Sequence, residues 1–239
     1  MKALLYTDWS TIRKSFKNYI FSAVLICGIV TVTSVTADGM TALDAAQVVQ
    51  GNVTSICALM FTFYVFFSLF GQDEHEGWES VRLSLPVTRG QVVICRYAVM
   101  AIVLASLIVA GALIGTVIAA ITTKLVFGTM ALTAPIELAV IGILAFSLSL
   151  IYLAVEMPLF FKMGFMKARL YFTLPFFACM LFVLEPVQRA AEALGVQVMG
   201  VAEAIGSPVP LMLGLVAIAL LLYAFSARLS TRIYEKREF

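Results

Sequence analysis

Charge is scarce in this chain. Only 13% of its 239 residues are Asp, Glu, Lys or Arg, against 62% hydrophobic, so a water-soluble domain of this size would lack the polar surface to cover itself. Histidine occurs once, at His75, and there is no HExxH, no GxSxG and no Ser–His–Asp set, which leaves hydrolytic chemistry without its parts. No GxxxxGK[ST] phosphate loop occurs either, so the chain has no backbone-amide cradle for a nucleotide. Any work it does draws energy from a partner. Cys27, Cys57, Cys95 and Cys179 stand singly with no CxxC pair, which argues against a zinc site or a disulfide framework. Each reads as a small apolar filler. No connection has room for a soluble domain, and no internal repeat of the inverted kind is evident.

What is present is long apolar runs, at about 19–37, 51–71, 92–121, 135–155, 170–185 and 209–227. A hydrocarbon core about 30 Å thick asks for roughly 20 apolar residues per helical span, and the third run is long enough to tilt or extend beyond it. The mean hydropathy of +1.02 agrees. The first run follows a charged stretch, residues 1–18, and has no small-residue cleavage site, so no signal peptide is read. Basic residues fall on alternate connections. Lys2, Arg13, Lys14 and Lys17, then Arg82, Arg89 and Arg96, then Lys162, Lys167 and Arg169, then Arg228, Arg232, Lys236 and Arg237 make fourteen of the sixteen Lys and Arg. Only Lys124 and Arg189 remain for the other side. Translocated short loops are depleted of such residues, which predicts six spans in a cell membrane, the bacterial inner membrane, with both termini in the cytoplasm.

Leu5, Trp9, Ile12 and Phe16 share one helical face, with Arg13, Lys14 and Lys17 opposite. This spacing predicts an amphipathic helix over 1–18 lying in the cytoplasmic headgroups. Gly111, Gly115 and Ala119 recur every fourth residue in the third run. Such a bare face lets two helices approach closely, within one chain or between subunits. Pro175 should kink the fifth run, while Pro158 and Pro186 are expected at span ends. The external connections are expected at 38–50, 122–134 and 187–208. Glu137, Glu156 and Glu185 are placed near span ends, within reach of water. With no charge expected at mid-depth, an ion-driven carrier is disfavoured.

The most distinctive stretch is the connection from Gln72 to Arg89. Its acidic start, Asp73 and Glu74, suits the positive end of a helix dipole. Trp78, Arg82 and Leu85 follow at near-helical spacing before Pro86, as in a short amphipathic helix whose aromatic anchor fits a groove on another protein. Metal binding by Asp73–Glu76 and His75 is disfavoured because those ligands are adjacent rather than spaced i, i+4. That stretch, ending Leu85-Pro86-Val87-Thr88-Arg89, resembles the permease subunits of ABC-2 type exporters. So does Pro158-Leu159-Phe160-Phe161-Lys162-Met163-Gly164-Phe165-Met166-Lys167-Ala168-Arg169, which is similar to the P-L-x-x-K-x-G-x-x-K-x-R connection of a compact branch that includes exporters of bacterial peptides such as phenol-soluble modulins.

The resemblance implies one all-α transmembrane domain over 1–239, paired with a second permease copy or paralogue and embedded in lipid. Each permease would dock a separate ABC ATPase. Asp73, Glu74, Trp78, Arg82, Leu85 and Pro86 would form the coupling helix and residues 2–17 the connecting helix. Lys162, Lys167 and Arg169 would face the ATPase or the inner headgroups. ATP and magnesium would belong to the partner, leaving this chain without cofactor, metal or catalytic residue and without a nucleic-acid partner. A hydrophobic or amphipathic cargo (peptide, antimicrobial or lipid) would suit such a path. The rival expectation is a membrane scaffold that recruits cytoplasmic partners without transport.

Overall fold

A computed structural model describes residues 9–10, 12–13, 27–28, 31, 41–75, 88–164, 167–168 and 208–236. Every regular element among them is helical, and four helices are long: α1 (Ala42–His75), α2 (Arg89–Phe127), α3 (Pro135–Met163) and α4 (Pro208–Glu235). Helices α2, α3 and α4 are long and apolar enough to cross a membrane and hold the third, fourth and sixth apolar runs, while α1 holds the second. In the first run, residues 27, 28 and 31 are helical, and the Thr31 hydroxyl donates to the Cys27 carbonyl at 2.6 Å. The fifth run, with Pro175, lies outside the described residues.

The helices start and stop where local chemistry dictates. Thr41 caps α1: its hydroxyl donates to Asp44 Oδ2 at 2.6 Å, its N–H reaches the same oxygen at 3.2 Å, and the Asp44 N–H returns to Thr41 Oγ1 at 3.3 Å. This reciprocal cap starts the helix at 42. Residues 42–50, expected in an external connection, are therefore helical, and Ala45, Ala46, Val49 and Gln50 are buried. At the other end α1 runs on past Gly71 through Gln72–His75, four polar residues that contain no Gly or Pro. The backbone at Asp73 and Glu74 is thus continuous with α1.

Helix α2 begins with the same device. Gln91 N–H donates to Thr88 Oγ1 at 3.3 Å and Thr88 N–H to Gln91 Oε1 at 3.1 Å. Gly128, at φ 71°, closes it with an N–H to the Lys124 carbonyl, a left-handed position that suits glycine. Its 39 residues rise roughly 58 Å, well beyond a hydrocarbon core of about 30 Å. The following connection is accordingly 128–134, shorter than expected. Helix α3 opens on Pro135, which needs no donor there, and ends at Gly164, φ 79°, whose N–H reaches the Phe160 carbonyl at 2.9 Å. It continues five residues past Pro158, which is inside the helix and not at its end. Helix α4 carries Arg228 and Arg232 in its last turns.

The chain forms two compact units, Met1–Leu150 and Ile151–Phe239. The first is organised by antiparallel α1 and α2. A Cβ placed on Gly111 would lie 2.7 Å from Cys57 Cβ, and one on Gly115 would lie 3.3 Å from the Gln50 carbonyl oxygen. The face of Gly111, Gly115 and Ala119 is therefore turned onto α1 of the same chain. Cys27, Ala46, Val49, Val53, Cys57 and Ala119 form one buried cluster there. Away from that seam α2 exposes Ile102, Val109, Leu113, Val117 and Ile121, which suits lipid.

Replacing Gly111 by Ala should destabilise the chain by about 1–3 kcal/mol through overpacking. Gly214→Ala, where nothing lies within 4 Å, should leave stability unchanged or slightly raised. Thermal unfolding in detergent distinguishes the two, and equal effects would contradict the seam. The Thr41 hydroxyl and N–H hold the Asp44 carboxyl below its ordinary range. A group depressed by folding stabilises above its unfolded value and loses that contribution as pH falls through the folded one. Protection of the amides in the first turn of α1, corrected for the intrinsic pH dependence of exchange, should therefore fall on acidification below the usual carboxylate range, and Asp44→Asn should flatten that dependence.

Candidate functional site

Polar groups are few, so their placement is informative. Along α1, Gln47, Gln50 and Thr54 follow one another at i, i+3 and i+7. Gln50 is fully buried. Its Nε2 donates to Thr116 Oγ1 on α2 at 3.2 Å, and that hydroxyl donates onward to the Ala112 carbonyl at 2.8 Å. The Gln50 Oε1 has no hydrogen-bond partner. Thr54 donates to the Gln50 carbonyl at 2.7 Å. Gln47 Nε2 reaches Glu137 Oε2 on α3 at 2.7 Å in an exposed pair. Toward the other end of the seam Arg96 is 1% exposed, its guanidinium 4.6 Å from the centre of the Phe70 ring. Stacking on an aromatic face offsets part of the cost of taking a guanidinium out of water. Ser55 and Ile141, Leu144, Ala145 and Leu148 line a small apolar hollow of about 190 Å³ between α1 and α3.

The second unit is built differently. Helix α4 buries Ala219, Tyr223, Ser226, Ser230 and Tyr234 and exposes Leu213, Ile218, Leu221, Phe225 and Leu229. Hydroxyls inside and large aliphatics outside reverse the pattern of a water-soluble helix and match a helix whose solvent is lipid. Its Ser226 Oγ donates to the Ala154 carbonyl of α3 at 2.6 Å. Ala154 is four residues before Pro158, which has no N–H to offer that carbonyl. The serine on the neighbouring helix therefore supplies the hydrogen bond the proline withholds. Seven residues further along each helix, or nearly so, Phe161 and Tyr234 meet edge to face at 5.4 Å, so α3 and α4 run parallel here. Glu156 is 4% exposed, and its Oε2 has no hydrogen-bond partner.

Several sequence expectations change position. Glu156, placed within reach of water, is interior, because the turn of α3 that carries it is packed on both sides by buried Leu153, Met157 and Phe160. Arg96, counted with the water-facing basic residues, is inside the α1–α2 seam. Of the interfacial face, Ile12 is buried and Trp9 is 58% exposed, while Leu5 and Phe16 lie outside the described residues. Trp78, Arg82, Leu85, Pro86 and Arg169 also lie outside them. Lys162 and Lys167 are exposed, Lys162 in the last turn of α3, where a cation complements the helix dipole. The α4 hydroxyl stripe and the Ser226–Ala154 bond went unread in the sequence. The signal was available, since Tyr223, Ser226, Ser230 and Tyr234 stand at helical spacing within an apolar run.

Apolar helices of this length, one of them with its polar groups turned inward, define an integral membrane protein of the all-helical class. The sequence model of a family described as ABC-2 family transporter protein matches residues 3–235. The chain belongs to that family, an ABC-2 type permease. No curated protein and no solved structure matches it.

Ser226→Ala should cost about 1–3 kcal/mol, because it leaves the Ala154 carbonyl buried and unpaired. In a Pro158→Ala background the new N–H at 158 takes that carbonyl, and the same serine change should cost markedly less. Unfolding measured over the four-member cycle would show a coupling of about 1 kcal/mol; additive effects would contradict the substitution of one donor for the other.

Proposed function

We propose that this chain is the membrane-spanning subunit of an ATP-binding-cassette exporter, and that a separate ATPase drives it. The observation that carries the reading is the family match over almost the whole length. The charge pattern supports six spans with both termini in the cytoplasm of a bacterial cell. It also supports an inner-face position for the connection around Trp78. Two copies, or one copy and a paralogue, enclose a path for a hydrophobic or amphipathic cargo such as a peptide, an antimicrobial compound or a lipid.

The mechanism follows from how little chemistry the chain contains. Nucleotide binding closes the ATPases, and Asp73, Glu74, Trp78, Arg82, Leu85 and Pro86 receive that motion. Because Asp73 and Glu74 continue α1, a push on this connection passes directly into a helix clamped to α2 along the glycine seam. A helix pair in such close contact moves as one body. Lys162, Lys167 and Arg169 take the neighbouring inner-face position, against the ATPase or anionic headgroups. ATP and magnesium act in the partner, and this subunit is not an enzyme.

Trp78→Ala combined with Leu85→Ala should reduce recovery of the co-expressed ATPase by at least about tenfold, the scale expected for removing aromatic and aliphatic anchors. The variant should still insert in the membrane at normal abundance. Undiminished recovery would refute the docking role. Partner turnover that ignores the wild-type subunit would instead favour a recruiting scaffold.

A further inference from the structure

Cys27, in the first apolar run, and Cys57, on α1, fall in one buried cluster beside α2. Cys27 is 5% and Cys57 9% exposed, and both are members of one buried cluster with Ala46, Val49, Val53 and Ala119. Within that cluster the two side chains are close enough to interact with each other. Cys57 is also held from behind: a Cβ on Gly111 would meet its Cβ at 2.7 Å and its sulfur at 3.3 Å. The seam thus fixes the position of Cys57 opposite Cys27. Cys95 belongs to a separate small cluster with Val92. Two thiols, thirty positions apart in sequence, are thus brought into one apolar cluster, a setting that charged or strongly hydrated oxidants enter poorly.

We propose that Cys27 and Cys57 are an oxidisable dithiol that an apolar organic hydroperoxide, of the class formed by lipid peroxidation, converts into a disulfide joining the first apolar segment to α1. One sulfur attacks the O–O bond of the hydroperoxide, releasing the alcohol and becoming a sulfenic acid. The other thiol then displaces water from that sulfur and forms the S–S bond. The balance is one hydroperoxide and two thiols to one alcohol, one disulfide and one water, with the two electrons lost by sulfur reducing the peroxide bond. The link would prevent the first segment and α1 from moving apart. Its effect on export rests on the transport reading above, but the dithiol chemistry does not.

The test uses the full chain reconstituted in lipid vesicles and exposed to cumene hydroperoxide. Two of the four thiols should disappear, the intact mass should fall by two hydrogens, and digestion should yield a Cys27–Cys57 linked peptide that dithiothreitol reverses. The Cys95→Ala/Cys179→Ala variant should behave identically, and Cys27→Ala should lose the link. Aqueous glutathione disulfide should react at least tenfold more slowly. Thiols that survive the hydroperoxide, oxygen added to either cysteine without a link, a link between chains, or equally fast reaction with glutathione disulfide would each overturn the proposal.

Discussion

The absence of a side chain at Gly111 and Gly115 is the constraint on which the first unit depends. In lipid, helices gain little from burying apolar surface, because the acyl chains are as apolar as the protein. Association then rests on close van der Waals contact and on the few polar groups that find each other. Bare positions on α2 admit the backbone of α1 at Thr54 and Gln50 and the Cβ of Val53. That approach brings Gln50 to Thr116 and sets Cys57 against the seam. A wider helix separation would strand Gln50 in hydrocarbon and loosen the cluster around Ala46, Val49 and Ala119.

The second unit solves a different problem. Pro158 breaks the backbone ladder inside α3, and an unmet carbonyl in a membrane is costly. Ser226 meets it from α4, so one hydrogen bond both repairs the broken ladder and fixes how the two parallel helices sit. The buried hydroxyls of α4 and the outward Leu and Phe residues belong to the same arrangement. A helix held by a side-chain donor in place of a backbone N–H differs from one closed by its own ladder, since the bond breaks when its neighbour slides.

Much of this was legible in the chain. The long apolar runs mark α1 to α4, because a span of hydrocarbon sets a minimum length that composition alone satisfies. Thr88 with Gln91 and Thr41 with Asp44 are readable caps, and Gly128 is a readable stop. The helix α1 is longer than its apolar run for a physical reason: apolarity marks 51–71, whereas the backbone ladder starts at the Thr41–Asp44 cap and continues through polar residues 72–75. Arg96 and Glu156 were misassigned by the same logic. A charge near the end of an apolar run looks exposed until the faces packed around it are known. The pairings Gln50–Thr116, Arg96–Phe70 and Ser226–Ala154 join residues more than twenty positions apart, which periodicity along one helix cannot relate.

Residue type and order alone determined that this protein lives in lipid, which apolar runs the four long helices hold, and to which transporter family it belongs, because hydropathy, spacing and motif are local properties of the chain. Tertiary structure alone decided that the glycine face closes on α1, that a serine completes a helix broken by proline, and that Arg96 and Glu156 are interior. Those outcomes depend on which side chain arrives from another helix, and in a low-dielectric solvent the arriving group sets whether a polar atom is satisfied or stranded.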